Sequence, residues 1–166
     1  MVDERIDGMN LGPVVLIVDD SENDLLLMRR AFKKADFDLP YITVPGGEQA
    51  LAYLRGEGEY NDRDQYPLPT VLLLDLNMPG MSGFEVLRWV RAHPAFHRLY
   101  VVILSASMRK EDVETSFDLG ANGFLVKPAD LLELIELMKR LRDWIHIDQF
   151  AAAVETAPSH ELQPVE

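Results

Sequence analysis

The sequence predicts an α/β fold, an open five-stranded parallel sheet with helices on both faces. Two observations predict it. Short apolar runs rich in branched residues recur without alternation, as in strands buried on both faces. Segments with apolar residues at helical spacing separate them, so strand and helix alternate five times, and right-handed crossovers then give a parallel sheet.

The first strand is Val14–Val18, ended by Asp19-Asp20-Ser21. Ser21 or Asp20 is placed to cap a helix carrying Leu25, Met28 and Phe32 on one face. Leu39–Pro45 reads as the second strand and Glu48–Leu54, after Gly46-Gly47, as a short helix. Arg55–Pro69 is a polar stretch too long for an ordinary connection, so it is expected to be functional or mobile. Thr70–Leu74 is the third strand, ending in Asp75. Ser82-Gly83-Phe84-Glu85 fits a capping box opening a helix that runs to about His93, before Pro94. Tyr100–Leu104 is the fourth strand, ending in Ser105, and a helix follows from about Arg109 to Leu119. Asn122–Val126 is the fifth strand, ending in Lys127-Pro128, and the last helix runs from about Ala129 to Ile145. The expected organisation is an N-terminal tail over residues 1–11, one domain over 12–146 and a mobile acidic tail over 147–166.

Composition excludes several classes of function. The 166-residue chain has 16 Lys plus Arg against 28 Asp plus Glu, a formal net charge of −12. Such a chain repels phosphate backbones and anionic lipid, so neither nucleic acid nor membrane is an expected partner. There is no cysteine, which removes disulfides, thiolate metal sites and thiol catalysis, and permits a reducing compartment. No apolar stretch approaches the roughly 20 residues of a membrane span, and Met1–Asn10 lacks the apolar segment of a signal peptide. A cytoplasmic location is expected.

In an open parallel sheet the working site lies beyond the carboxyl ends of the strands. Those ends carry Asp19 and Asp20, Asp75 with Asn77 close behind, Ser105, and Lys127. Three converging carboxylates repel one another unless a cation intervenes, and a hard divalent ion such as Mg²⁺ suits an all-oxygen set. No Cys or His stands at these ends, which disfavours zinc or copper. A lysine and a hydroxyl beside a carboxylate could hold a tetrahedral oxyanion on it, so Asp75 is the natural nucleophile for an acyl phosphate.

The segments VLIVDDSEND, LLLDLNMPGMSGFEVL, VVILSAS and GANGFLVKP, in this order, resemble the receiver domain of two-component response regulators. The likeness covers roughly residues 12–146, and its long loop before the third strand resembles the stand-alone regulators paired with phytochrome-type kinases. The resemblance implies a flavodoxin-like strand order 2-1-3-4-5. It implies Asp75 as phosphoacceptor, and Mg²⁺ (or Mn²⁺) held by Asp19, Asp20, Asp75 and the Asn77 backbone carbonyl. Ser105 and Lys127 would bind the phosphoryl group. Phe124 matches the aromatic switch that packs inward when Ser105 moves, and the Lys127–Pro128 bond would be cis. The implied partner is a histidine kinase. The implied output is a protein–protein contact, dimerisation included, through the last helix and strand.

Each residue also has a plainer reading. Asp19-Asp20-Ser21 could only cap a helix, Asp75 could only start a turn, Ser105 or Ser107 could cap the next helix, and Lys127 could be a solvated cation. Phe124 could simply be core. Four such coincidences at strand ends favour the joint functional reading. His93 and His97, in a loop around Pro94, have no evident metal partners. A phosphatase of the haloacid dehalogenase type would carry its nucleophile after the first strand and a carboxylate two residues later. Here Asp75 follows the third strand and Asn77 stands at that place, so turnover chemistry is not expected. In the last helix Leu131, Ile135 and Met138 form one apolar stripe, and Leu134, Leu137, Leu141 and Trp144 a second. One stripe must cover the sheet. The other, with Leu137, Leu141 and Trp144, is either an exposed partner surface with Trp144 its anchor, or is itself buried by the curve of the sheet and neighbouring helices.

Overall fold

The computed structural model describes residues 12–153. Its strands are β1 (Val15–Val18), β2 (Tyr41–Val44), β3 (Val71–Leu74), β4 (Tyr100–Ser105) and β5 (Gly123–Val126). Its helices are α1 (Glu22–Lys34), α2 (Gly47–Arg55), α3 (Gly83–Ala92), α4 (Lys110–Asp118) and α5 (Leu131–Ala153). All strand pairings are parallel and the order is β2-β1-β3-β4-β5. Val18 lies opposite both Val44 and Leu74, and Leu74 opposite Ile103, so the carboxyl ends of the strands come level at one edge.

Period-two alternation sorts the strand residues into two cores. Val15, Ile17, Val71, Leu73, Val102 and Leu104 pack with α1 and α5. Leu16, Val18, Leu72, Leu74, Val101 and Ile103 face the opposite way, against α2 and α3. Both faces are apolar, which is why the strands read as continuous rather than alternating runs.

Local chemistry sets the helix ends. The Ser21 side chain accepts from the Asp24 amide at 3.2 Å and caps α1. At α3 the Glu85 amide donates to Ser82 Oγ at 3.3 Å and the Ser82 amide donates to Glu85 Oε2 at 2.7 Å, closing the capping box. Ser107 does not start α4 as a conventional cap. Its hydroxyl donates to Asp112 and accepts from the Arg109 amide at 3.3 Å, bracing the turn before the helix.

The segment between α2 and β3 is not the structureless stretch its composition suggests. It holds a 3₁₀ turn, Gly58–Asn61, and is tied down by Arg63. The guanidinium donates to the carbonyls of Tyr53 at 2.9 Å, Leu54 at 2.9 Å and Tyr66 at 3.2 Å. Two of these are carbonyls of the last turn of α2, which have no partner within the helix. Tyr53, Tyr60 and Tyr66 pack as a ring trio, and the buried Tyr53 hydroxyl donates to Pro67 O at 2.8 Å. Burial pushes that phenol well above its ordinary pKa.

α5 also departs from expectation. It continues to Ala153, seven residues into the expected tail that begins at 147. No Pro or Gly interrupts Leu131–Ala153, and alanine is the best helix former, so the Ala-rich stretch extends the helix. The tail readings for 1–11 and for the residues after 153 lie outside the described residues. The stripes of α5 differ from the partner-surface reading too. Leu134, Ile135, Leu137, Met138, Leu141 and Ile145 are all buried, so Leu137 and Leu141 are core and not a free partner surface. α1 packs alongside α5 on the same face of the sheet and shares the core that buries the second stripe. Trp144 is half-buried, edge-on to Tyr100 with ring centres 5.6 Å apart. Arg142 donates to the Ala35 carbonyl, and His146 Nε2 lies 3.0 Å from Asp38 Oδ1, joining α5 to the turn after α1. Among the described residues no helix is long and apolar enough to cross a membrane.

Arg91, half-buried, is the tie on the other face. It donates to Gly120 O at 2.9 Å, Leu99 O at 2.9 Å and Asn122 Oδ1 at 2.8 Å, joining α3 to the starts of β4 and β5. Its removal leaves several part-buried acceptors without this donor. Arg91→Met is therefore expected to lower unfolding free energy by about 2–4 kcal/mol. Urea denaturation checks this, and a loss within 0.5 kcal/mol, roughly that of an ordinary surface change, contradicts it.

Candidate functional site

At the carboxyl edge of the sheet, the backbone of each strand hands a functional side chain to one place. The Asp19 amide donates to Val44 O at 3.2 Å and the Asp75 amide to Val18 O at 3.0 Å, continuing the ladders one residue past β1 and β3. The Lys127 amide donates to Ser105 O at 2.8 Å, so Lys127 leaves β5 at the end of β4. Asp19, Asp75 and Ser105 are buried, while Asp20 is exposed.

One carboxylate oxygen from each of Asp19, Asp20 and Asp75 can be chosen so that all lie within 4.8 Å of one another. Lys127 Nζ lies 2.5 Å from Asp19 Oδ2 and 3.4 Å from Asp75 Oδ2. It also lies 3.0 Å from Asp24 Oδ2, a partner the sequence analysis did not pick out. The available signal was spacing: Asp24 follows the cap Ser21 by three residues, which puts it on the first turn of α1 beside the strand ends. Asp19 Oδ1 accepts from the Ser21 amide at 2.9 Å, so this carboxylate is held by the helix start and by the lysine together.

Burial pushes the Asp75 carboxyl up, Lys127 pulls it down and the neighbouring Asp19 pushes it up again, leaving it above the usual carboxylate range. Burial disfavours the Lys127 ammonium. The hydrogen bond and charge of Asp19, then Asp24 and Asp75, outweigh that and hold it above the ordinary lysine value. The lysine is thus a fixed cation at neutral pH, and Asp75 carries a charge it resists carrying. The donor set is all oxygen, strongly negative and only partly balanced by one ammonium, which fits a hard divalent cation and not a soft one.

The other predicted residues fall around this centre. Asn77 sits in the exposed turn after β3, where its amide donates to Asp75 Oδ1 at 3.4 Å. Ser105 Oγ accepts from the Ser107 amide at 3.2 Å. Phe124 is fully buried among Ile103, Val86 and Leu87 in the α2–α3 core, so it already occupies an inward position. The Lys127–Pro128 bond differs from expectation: no peptide bond among the described residues is cis. Trans is the intrinsically favoured isomer even before proline, and with it Lys127 still reaches three carboxylates. His93 stacks on Trp89 with ring centres 3.9 Å apart and its Nδ1 lies 2.7 Å from Trp89 O, away from the acidic cluster.

Gly83 sets the position of Asp75. A Cβ at residue 83 would lie 2.2 Å from the Asp75 carbonyl oxygen and 2.8 Å from Leu76 Cα, so α3 can start here only on a glycine. Gly83→Ala is expected to cost more than about 2 kcal/mol of stability and to weaken divalent-cation binding with it. Calorimetric unfolding with and without MgCl₂ checks both.

Because Asp75 titrates above the carboxylate range, the folded protein takes up that proton before the unfolded chain does. The charged Asp75 therefore costs metal-free stability above its folded pKa, and the cost disappears as pH falls through that value towards about 4. Asp75→Asn is expected to gain stability over the natural protein as pH rises from about 4 to 7 in chelated buffer. A pH series of urea midpoints tests the sign. Lys127 has the opposite pattern, its contribution being complete below the ordinary lysine value and lost only as pH rises through its higher folded value.

Residues 15–139 match the family model described as the response regulator receiver domain. The chain is 33% identical over 148 residues to the response regulator Rcp1 of Synechocystis sp., covering 89% of this chain and 99% of that one. Among solved structures, it superposes on the phosphorylated cyanobacterial phytochrome response regulator RcpA with a TM-score of 0.73 at 33% identity, over 81% of this chain and 94% of that one. The Mn²⁺-bound form of the response regulator Rcp1 gives a TM-score of 0.71 at 34% identity, over 80% and 94%. Sequence, strand order and the acidic edge with its lysine agree: this chain belongs to the response regulator receiver domain family, among the regulators related to phytochrome systems.

Proposed function

We propose that this protein accepts a phosphoryl group on Asp75 from a histidine kinase in a Mg²⁺-dependent reaction and passes the signal on through protein–protein contacts. The observation that carries the reading is the setting of Asp75: buried, in a cluster of three carboxylates, with Lys127 Nζ 3.4 Å from its Oδ2. An Asp75 carboxylate oxygen forms the new bond to phosphorus as the phosphorus–nitrogen bond of the kinase's phosphohistidine breaks, the nitrogen keeping the electron pair. Asp19, Asp20, Asp75 and the Asn77 carbonyl would hold Mg²⁺, with Mn²⁺ an alternative. The ion supplies charge neutralisation for the phosphoryl oxygens. Lys127 pairs with a phosphoryl oxygen, and Ser105 turns its hydroxyl from the Ser107 amide to the phosphoryl group. That draws in the loop before α4, and Phe124, inward here, is the packing that this state favours.

The kinase is of the phytochrome-associated type in this reading, supported by the relatives. The site transfers rather than turns over: the residue two places after Asp75 is Asn77, which offers no general acid. Such a cytoplasmic exchange needs neither a membrane nor nucleic acid. Since Leu137 and Leu141 are core, an output contact or homodimer would use what α5 leaves exposed, notably Leu132 and Ile147, with Trp144 at its margin.

Incubation with MgCl₂ and acetyl phosphate is expected to add a labile mass of about 80 Da, one phosphoryl group, that Asp75→Asn lacks. If neither acetyl phosphate nor a phosphorylated kinase labels the folded, metal-loaded protein, the reading fails. MgCl₂ at 100 times its dissociation constant should also stabilise the protein by about 2.7 kcal/mol. Asp20→Asn should lose most of this, as measured by thermal unfolding. Size-exclusion of the labelled protein tests assembly, and identical elution with unchanged binding partners would sink the output assigned to α5.

A further inference from the structure

We propose that Asp24 is a counter-ion that competes with the phosphoryl group for Lys127, and so sets how tightly the loaded state is held. The inference rests on the reading of Asp75 as phosphoacceptor. An ammonium has three N–H donors. Here they face three carboxylates: Asp19 Oδ2 at 2.5 Å, Asp24 Oδ2 at 3.0 Å and Asp75 Oδ2 at 3.4 Å. The three partners are not equivalent. Asp19 is buried and pinned from its other oxygen by the Ser21 amide. Asp75 is the group being loaded. Asp24 stands outside the group of three carboxylates whose oxygens converge, and its side chain is 41% exposed. It therefore contributes nothing evident to a cation site, yet it takes one N–H of Lys127 and offsets the ammonium's charge.

Asp24 is also the partner that can let go. A carboxylate this exposed regains water when it turns outward, so its release costs little. A cavity of about 200 Å³ opens beside the pair, lined among others by Asp24, Leu27, Lys127 and Pro128, and gives the side chain room to move. A dianionic phosphoryl group on Asp75 needs the charge that Asp24 shares. Removing the Asp24 charge while keeping its shape should free that charge for the phosphoryl group.

The test uses beryllofluoride, which adds to a carboxylate oxygen as a tetrahedral mimic of the phosphoryl group, titrated with MgCl₂ present and followed by calorimetry. Asp24→Asn is expected to bind it about three- to fivefold more tightly than the natural protein, the upper part of the range an ion pair with an exposed partner supports. Asp24→Glu keeps the counter-ion and is expected to stay within about twofold of the natural protein. Glu22→Gln removes the same charge from the same helix turn, where no contact to Lys127 exists, and is expected to leave the affinity unchanged. The proposal is overturned if Asp24→Asn binds no more tightly, or if Glu22→Gln gains as much, since the effect would then be general repulsion. If the natural protein takes the phosphoryl label but binds no beryllofluoride, the competition proposed for Asp24 fails alone; if it takes neither, the phosphoacceptor reading fails and the competition with it.

Discussion

The structure is organised around an excess of negative charge that one ammonium has to hold together. Asp19, Asp20, Asp24 and Asp75 surround the carboxyl edge of the sheet, and Lys127 touches three of them. At an effective dielectric of about 20, two unit charges 4 Å apart interact by about 4 kcal/mol. A domain has only about 5–15 kcal/mol of net stability, so such a cluster cannot stand without counter-charge. The lysine supplies part of it, and the remainder is what makes the edge receptive to a divalent cation. The same imbalance raises Asp75 above the carboxylate range, because burial and Asp19 together outweigh the pull of Lys127.

A strained electrostatic centre needs a rigid frame. Two largely apolar sheet faces supply it, with α1 and α5 on one side and α2 and α3 on the other. The frame reaches the site through close contacts rather than long-range fields. α3 begins against the Asp75 carbonyl at Gly83, and the Lys127 amide is bonded to the end of β4. Away from the site, two arginines do for loops what strands do for each other. Arg63 and Arg91 spread several N–H donors over backbone carbonyls at helix and loop ends. An arginine suits this task because its planar fork donates in fixed directions and stays charged when buried.

The packing of α5 bears on how a signal leaves. A helix whose two apolar stripes are both consumed by α1 and the sheet has little left to offer a partner along its middle. Among the described residues, its exposed large apolar side chains are Leu132 and Ile147. The loop after Ser105 is bonded within itself, through Ser107 to Arg109 and Asp112, so a movement of Ser105 would be carried as a unit towards the start of α4. Local charge at the sheet edge and surface shape are thereby linked through a few hydrogen bonds.

How much of this was legible in the chain depends on whether the signal is local. The strand runs, the capping box at Ser82–Glu85, the strand-end carboxylates and Lys127 were readable, because alternation with helices and the parallel topology force strand ends to one edge. The order of the Arg55–Pro69 stretch was not legible, because it comes from Arg63 reaching back to α2 and from tyrosines meeting in space, neither of which a polar composition reveals. The second stripe of α5 stayed open between partner surface and core, because amphipathic spacing says that a face is apolar but not which neighbour covers it. The peptide isomer at Pro128 and the extension of α5 to Ala153 were likewise outside what the motifs specify. By itself, then, the sequence determined the α/β class and the acidic edge, which follow from periodicity and chain order, and the family, which follows from the resemblance of four ordered motifs. Only the tertiary structure decided which carboxylates share Lys127, with Asp24 among them, and which leucines of α5 are core. Those are distances between residues far apart in the chain, and packing alone sets them.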